Sequence, residues 1–172
     1  YPQVTLAFEP GKYLYIGSTG DGDAGALQAD SVTFTCVDSA SSWSQIRFLN
    51  HSRDDLTLVE NSIIERAVDG IYCESANPTI TNCTIRNNTD GISADGGSQP
   101  TITGNTFTGN TRPVSVYAAR INNTISGNTY TGNTKDYIEV QTDVIDDNGT
   151  FVWAKDNAPY VVVGDVYVQR AN

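Results

Sequence analysis

The sequence predicts an all-β chain wound as a single-stranded parallel β-helix, with coils of about 22 residues. Three observations carry this prediction. One phrase recurs, as PTITNCTIRNNTDGI at 78–92, PTITGNTFTGNTRPVSV at 100–116 and NTISGNTYTGNTKDYIEV at 123–140. A degenerate first copy, LTLVENSIIERAVDGIYC, stands at 56–73. Alignment on Leu58, Ile80, Ile102 and Ile125 spaces the copies by 22, 22 and 23 residues, and a fixed period of this size marks a solenoid. Within each copy apolar and polar residues alternate, as in Ile80-Thr81, Ile102-Thr103 and Ile125-Ser126. That is the period of a half-buried strand. Thr, Asn and Gly also favour strands, caps and turns over helix interiors.

Taken in order, residues 4–17 read as two strands, VTLAFE and YLYIG, joined at Pro10-Gly11 by a type II turn. STGDGDAGALQAD, 18–30, reads as a Gly/Asp loop. Asp21 and Asp23 in it are candidate calcium ligands, because calcium prefers clustered oxygens, although the full loop signature with a terminal acidic clamp is missing. SVTFTC, 31–36, alternates Val32, Phe34 and Cys36 with Ser and Thr and is a strand. Trp43 either caps a bend against the core or offers a platform for a sugar ring. SQIRF then turns Ile46 and Phe48 inward, and His51-Ser-Arg-Asp-Asp is a polar turn into the repeats.

Inside the repeats a second strand centres on Ile85, Phe107 and Tyr130. A third follows at Ile71 and Cys73, Ile92 and Ala94, Val114 and Val116, and Ile138 and Val140. The alignment also brings Asn61, Cys83, Asn105 and Asn128 into one register, and Arg66, Asn88, Asn110 and Asn133 into another. Stacked inward Asn residues can pass amide hydrogen bonds from coil to coil, so these are structural residues. After the repeats, QTDVIDDNGT at 141–150 reads as a turn, with Asp143, Asp146 and Asp147 beside Asn148 as a candidate divalent-ion site. FVWAKDNAPYVVVGDVYVQ reads as a strand, a loop and a long final strand, Pro159 setting an extended backbone before it. The expectation is one domain over 1–172, divided into N-terminal strands and coils (1–53), regular repeats (54–140) and a C-terminal coil and strand (141–172).

These copies resemble the parallel β-helix repeats of the right-handed, pectate-lyase-like superfamily. The likeness spans roughly 54–140 closely. The flanks, VTLAFEPGKYLYIG and FVWAKDNAPYVVVGDVYV, resemble segments beside such repeats in prokaryotic cell-surface proteins. The resemblance implies a right-handed solenoid and says little about function.

Ten Lys and Arg against 20 Asp and Glu give a net charge of −10, which argues against a nucleic-acid backbone as partner. No apolar run reaches the ~18 residues of a membrane span. The chain has no Met and starts at Tyr1, so a processed protein or an excised fragment is expected. Sequons at Asn50, Asn82, Asn87, Asn122 and Asn148 fit an exported, cell-surface or extracellular glycoprotein. Cys36, Cys73 and Cys83 are odd in number. They read as buried fillers, as one disulfide plus a free thiol, or as a thiol served by His51, the single histidine.

Three function classes follow. Asn88-Thr-Asp90 resembles the Asn-Thr-Asp motif of polygalacturonases. The Asp-Asp pair stands at Asp54-Asp55, before the motif instead of after it, and no Gly-His-Gly or Arg-Ile-Lys is present. The positions equivalent to Asp90 are Arg112 and Lys135, so no carboxylate row is expected there, and Arg86 is the one strand arginine in the repeats with acidic company. Inverting hydrolysis needs two opposed carboxylates, and the expectation is no enzyme. Outward Thr79-x-Thr81, Thr101-x-Thr103, Thr124-x-Ser126, Thr106-x-Thr108 and Thr129-x-Thr131 form shallow ranks of an ice-binding kind. The favoured reading is a structural module stacking head-to-tail with copies of itself, in a filament or tandem array, without cofactor apart from calcium. Its contact residues would be Val4, Leu6 and Phe8 at one end and Tyr160, Val161, Val163, Val166 and Val168 at the other. A polysaccharide-binding β-helix is the alternative.

Overall fold

The computed structural model describes residues 4–20, 22–146 and 151–169. The chain winds through β1 (Val4–Phe8), β2 (Tyr13–Ile16), β3 (Gln28–Asp30), β4 (Val32–Cys36), β5 (Gln45–Phe48), β6 (Leu58–Glu60) and β7 (Ile63–Glu65). It continues through β8 (Asp69–Cys73), β9 (Thr79–Thr81), β10 (Thr84–Arg86), β11 (Asp90–Ala94), β12 (Thr101–Thr103) and β13 (Thr106–Thr108). The last strands are β14 (Arg112–Tyr117), β15 (Ile125–Ser126), β16 (Thr129–Thr131), β17 (Ile138–Gln141), β18 (Asp143–Ile145), β19 (Tyr160–Val162) and β20 (Val166–Val168). Successive coils contribute one strand each to three parallel sheets, ordered β1-β4-β7-β10-β13-β16, β19-β17-β14-β11-β8-β5-β2 and β15-β12-β9-β6-β3. A short pair, β18-β20, stands beside them. The predicted parallel β-solenoid is the observed fold.

The core is built from vertical columns. Val59, Ile80, Ile102 and Ile125 stack in register and are buried. Ile64, Ile85 and Phe107 form a second buried column continued by Tyr130, whose ring stacks on Phe107 at 5.2 Å. Ile46, Ile71, Ile92, Val114 and Ile138 form a third, and Phe48, Cys73, Ala94, Val116 and Val140 a fourth. Each fully buried Val, Ile or Phe contributes about 1.5–3 kcal/mol. No coil makes this burial alone, since each side chain is covered by the coil on either side.

The first repeat sits one residue away from its expected register. Val59, not Leu58, pairs with Ile80. The spacing within strands is constant, whereas the loop to the next coil lengthens: Ile71 to Ile80, Ile92 to Ile102 and Val114 to Ile125 differ by 9, 10 and 11 positions. A one-residue slip in a strand exchanges its faces, so Leu58 turns half outward and Val59 fills the core. The same shift moves the ladders. Ser62, not Asn61, begins the first, its Oγ accepting from Val32 N; Ala67, not Arg66, begins the second. Asn61 and Arg66 instead occupy left-handed bends, φ 50° and 57°, as do Asn82 and Asn87 in the next coil.

Both ladders run in one direction. In the first, Asn105 Oδ1 accepts from Cys83 N, and Asn105 N and Nδ2 donate to Asn128 Oδ1. In the second, Asn88, Asn110 and Asn133 hand on the same pair of bonds, with each Nδ2 also donating to a strand carbonyl. Each ladder ends on a carboxylate: Asn128 donates to Asp156, and Asn133 to Asp136. An ionised acceptor strengthens the last bonds, and a carboxylate needs no donor of its own to be satisfied there.

Three further expectations are corrected. Gln28–Asp30, read as loop, is β3, whose Ala29 packs into the core under Val59. Asp143–Ile145, read as turn, is β18. The long final strand is two strands in different sheets, broken at Gly164, where a Cβ would collide with the Thr142 hydroxyl. Trp43 is fully buried, stacks on Phe8 at 4.4 Å and donates Nε1–H to Glu65 O, so it is no sugar platform. All three cysteines are buried and unbridged, which removes the disulfide reading. Among the described residues no helix is long and apolar enough to cross a membrane.

Candidate functional site

Strand alternation decides what the outer face of the seven-stranded sheet carries. With Ile71 and Cys73 inward, Tyr72 points out, and its partners along the solenoid are Arg47, Ser93, Ser115 and Glu139. At the start of the same strands the chain bends, and the backbone of the next coil comes so close there that two positions must be glycine. A Cβ on Gly70 would lie 2.6 Å from Gly91 O, and one on Gly91 would strike the Pro113 carbonyl. The bend brings Asp69, Asp90 and Arg112, one from each of three coils, to one edge of this face. Together with Tyr72, Ser93, Ser115, Asp95 and Tyr117 they line a groove of about 240 Å³.

Arg112 organises the charges. It donates to both oxygens of Asp90, at 2.8 and 2.6 Å, and to Glu139 Oε1 at 2.7 Å. Lys135 donates to the other Glu139 oxygen at 2.9 Å. The hydrogen bond to Asp90 is the main reason the Arg112 pKa is pushed up. Burial works to raise the Glu139 pKa, but the hydrogen bonds from Lys135 and Arg112 outweigh it and hold the carboxyl below its ordinary range. Asp69 behaves in the opposite way. Burial first, and then the negative charge of Asp90, push its pKa up from 3.8 to about 6. Beyond the groove, Arg47 pairs with Glu74 at 2.6 Å and lies over the Tyr72 ring at 5.1 Å.

The sequence reading placed Asp90, Arg112 and Lys135 correctly on one edge and missed two things. Arg112 has more acidic company than Arg86, which pairs with Glu65 alone. Asp69 stands directly beside Asp90, so two carboxyls do adjoin there. The signal was present as the shared phrase Asp-Gly-Ile at 69–71 and 90–92. Asp90 is nevertheless clamped by Arg112, and Glu139 by Arg112 and Lys135, which leaves Asp69 and Asp95 as the groove carboxyls without an ion pair among the described residues.

The other candidates are scattered. Asp21, Asp147 and Asn148 lie outside the described residues. Asp23 is exposed near one end of the solenoid; Asp143, near the other, accepts from Ala119 N and Val144 N, with Asp146 exposed nearby. Among the described residues no three His, Cys, Asp or Glu side chains are grouped to hold a metal ion. Asn50, Asn82 and Asn87 are exposed, and Asn122 is half-buried and accepts from Val152 N. His51 Nδ1 bonds Ser18 O, and burial pushes the Cys83 thiol up to about 11, the direction opposite to activation. Of the assembly residues, Val4 and Leu6 are exposed, and Phe8 packs on Trp43. In β19 the inward alternation runs through Tyr160 and Val162, over Ile138 and Val140; Val161 lies over outward Glu139. Val166 and Val168 pair with Asp143 and Ile145, and exposed Val163 donates its backbone N–H to Val140 O.

A parallel solenoid with a polar outer groove defines a class of architecture, and comparison with known families supplies the particular one. Residues 26–158 match the family described as the right handed beta helix region. The chain belongs to that family. Comparison with curated proteins and with solved structures gave no match.

Proposed function

We propose that this chain is a non-catalytic structural module of the cell surface or extracellular space, and that a second copy stacks on each end of its solenoid. One observation carries the reading: the core columns run out into solvent at both ends. Leu6 tops the column of Phe34 and Ile64 yet is 42 % exposed, and Val162 tops that of Val140 and Val116 yet is 46 % exposed. The strands that carry them, β1 and β19, are outermost in their sheets and, among the described residues, leave one edge of backbone groups unpaired. Such edges are templates for strand addition, and a head-to-tail contact that does not close gives a filament. The clamped state of Asp90 and Glu139 supports the absence of catalysis, because glycoside hydrolysis needs two working carboxyls. Exposed sequons at Asn50, Asn82 and Asn87 support an extracellular setting.

The test is electron microscopy and sedimentation of the purified chain across a concentration series. The expected result is concentration-dependent fibres one module wide. A chain that sediments as a monomer at every concentration sinks the reading. The groove of Asp69, Ser93 and Tyr72 favours a second reading, a glycan-binding solenoid, with which the first is compatible.

A further inference from the structure

The groove over β8, β11 and β14 holds an unfulfilled group besides its carboxylates. Ser93 lines it, is 9 % exposed, and its hydroxyl has no hydrogen-bond partner. A buried hydroxyl left without a partner carries a free-energy cost that a ligand atom removes. The carboxylates around it are unequally provided for. Asp90 is doubly bonded by Arg112, and Glu139 is shared by Arg112, Lys135 and Gln141. Asp95 Oδ1 accepts from Ser75 N, Gly97 N and Ser98 Oγ. Asp69 has no ion-pair partner among the described residues, although it is half-buried beside Asp90.

The local balance is therefore negative, with Asp69, Asp90, Asp95 and Glu139 against Arg112 and Lys135. A partly desolvated carboxyl whose side-chain partner is another carboxyl, Asp90, is satisfied best by a charged group that only donates. An ammonium is such a group. It also gives the Ser93 oxygen a donor. Tyr72 and Tyr117 also line the groove, and such amphipathic rings suit a ligand that is apolar on its faces and polar at its rim. At about 240 Å³ the groove is below the ~300–1,000 Å³ of drug-sized pockets, which suits a single ring unit. It crosses successive coils about 4.8 Å apart, so a longer chain of such rings would run along the solenoid axis.

We propose that this groove binds an amino sugar with a free ammonium group, one unit of a cationic oligosaccharide, its nitrogen held by Asp69 and Ser93. This rests on the glycan-binding reading above and gives it a sign. A uronate would set its carboxylate against Asp69, Asp90 and Asp95 and is rejected.

The probes are a glucosamine tetramer, its fully N-acetylated counterpart and a galacturonate tetramer, titrated into the full chain by calorimetry at about 0.15 M ionic strength. The glucosamine tetramer is expected to bind, about tenfold more tightly than the N-acetylated one, and the galacturonate not at all. Asp69→Asn, which keeps shape and removes the charge, is expected to weaken binding about tenfold, and Ser93→Ala about threefold. Asp23→Asn removes one exposed charge near the end of the solenoid and is expected to change nothing. Circular dichroism checks that each variant is folded. Equal loss in Asp23→Asn and Asp69→Asn means diffuse charge attraction and overturns the site. Equal binding of the acetylated and free tetramers overturns the ammonium while leaving glycan binding standing. Binding of none of the three overturns both.

Discussion

At the scale of single residues, the chain holds carboxyl groups with opposite pH habits. Asp69 has its pKa raised to about 6 by burial and by Asp90. Its folded state therefore binds the proton more tightly than the unfolded chain does. The strain it imposes is present above pH 6 and is relieved as pH falls toward the unfolded value near 3.8. Glu65 and Glu139 are held below their ordinary 4.5, because hydrogen bonds, from Arg86 and Thr35 in one case and Lys135 and Arg112 in the other, outweigh the effect of burial. Their stabilisation is lost as pH falls through those lowered values. The two windows leave a stability maximum at about pH 4.5, where the Asp69 penalty is mostly relieved and the glutamates are still ionised. Urea denaturation at stepped pH is expected to show the midpoint rising from pH 7 to pH 5 and falling below pH 4. Asp69→Asn is expected to remove the rise and keep the fall. A wild-type midpoint that drops steadily from pH 7 downward contradicts this account of Asp69. The adjacency of Asp69 and Asp90 was legible in the shared Asp-Gly-Ile phrase 21 positions apart, but the shift was not, because it arises from the burial that stacked coils impose and from which neighbours Arg112 pairs with.

At the scale of the element, the coil is fixed by its turns as much as by its apolar residues. The repeat phrase showed the strands and the Asn ladders, since Ile80, Ile102 and Ile125 recur with Asn105 and Asn128 at constant offset. It misplaced the first coil by one residue, because the phrase there is degenerate and only the loop length, invisible to an ungapped alignment, tells Leu58 from Val59. It also left both ladder ends unseen, since Asp136 and Asp156 do not resemble the Asn residues they complete. The ladder makes a quantitative prediction. Asn110 is buried, accepts from Asn88 N and Nδ2, and donates to Ile85 O and to Asn133 Oδ1. Asn110→Ala strands the Asn88 amide and the Ile85 carbonyl in the core. At about 1–3 kcal/mol for each buried group left unpaired, the loss is expected to be about 3 kcal/mol in urea unfolding. Asn133→Ala, at a half-exposed position where water replaces the amide, is expected to cost about 1 kcal/mol. Equal costs at the two positions would mean that the bonds contribute little beyond local turn geometry.

At the scale of the whole molecule, the solenoid is directional. All strands within a sheet run parallel, the backbone N–H to Oδ1 bonds of both ladders run toward the carboxylate-terminated end, and the two end faces differ in composition. One end presents Val4 and Leu6 on β1 with the stacked Tyr13 and Tyr15 nearby on β2; the other presents Val162 on β19 and Val168 on β20. A contact between unlike ends is heterologous, so blocking one end of a subunit leaves the other competent. Leu6→Lys places a charge on the open core column at one end, and Val162→Lys does so at the other. An unpaired charge in a desolvated contact costs several kcal/mol, enough to abolish stacking at that face. Each variant alone is expected to sediment as a monomer and to remain folded, since both side chains are already substantially exposed. A mixture of the two is expected to form dimers of one subunit of each kind and nothing larger, because the sound end of each meets the sound end of the other. A like-to-like contact gives a different pattern. If subunits met through identical ends, one of the single variants would still dimerise by itself, and mixing the two would form no new species. Sedimentation equilibrium of the two variants, separately and at equal concentration, distinguishes the cases.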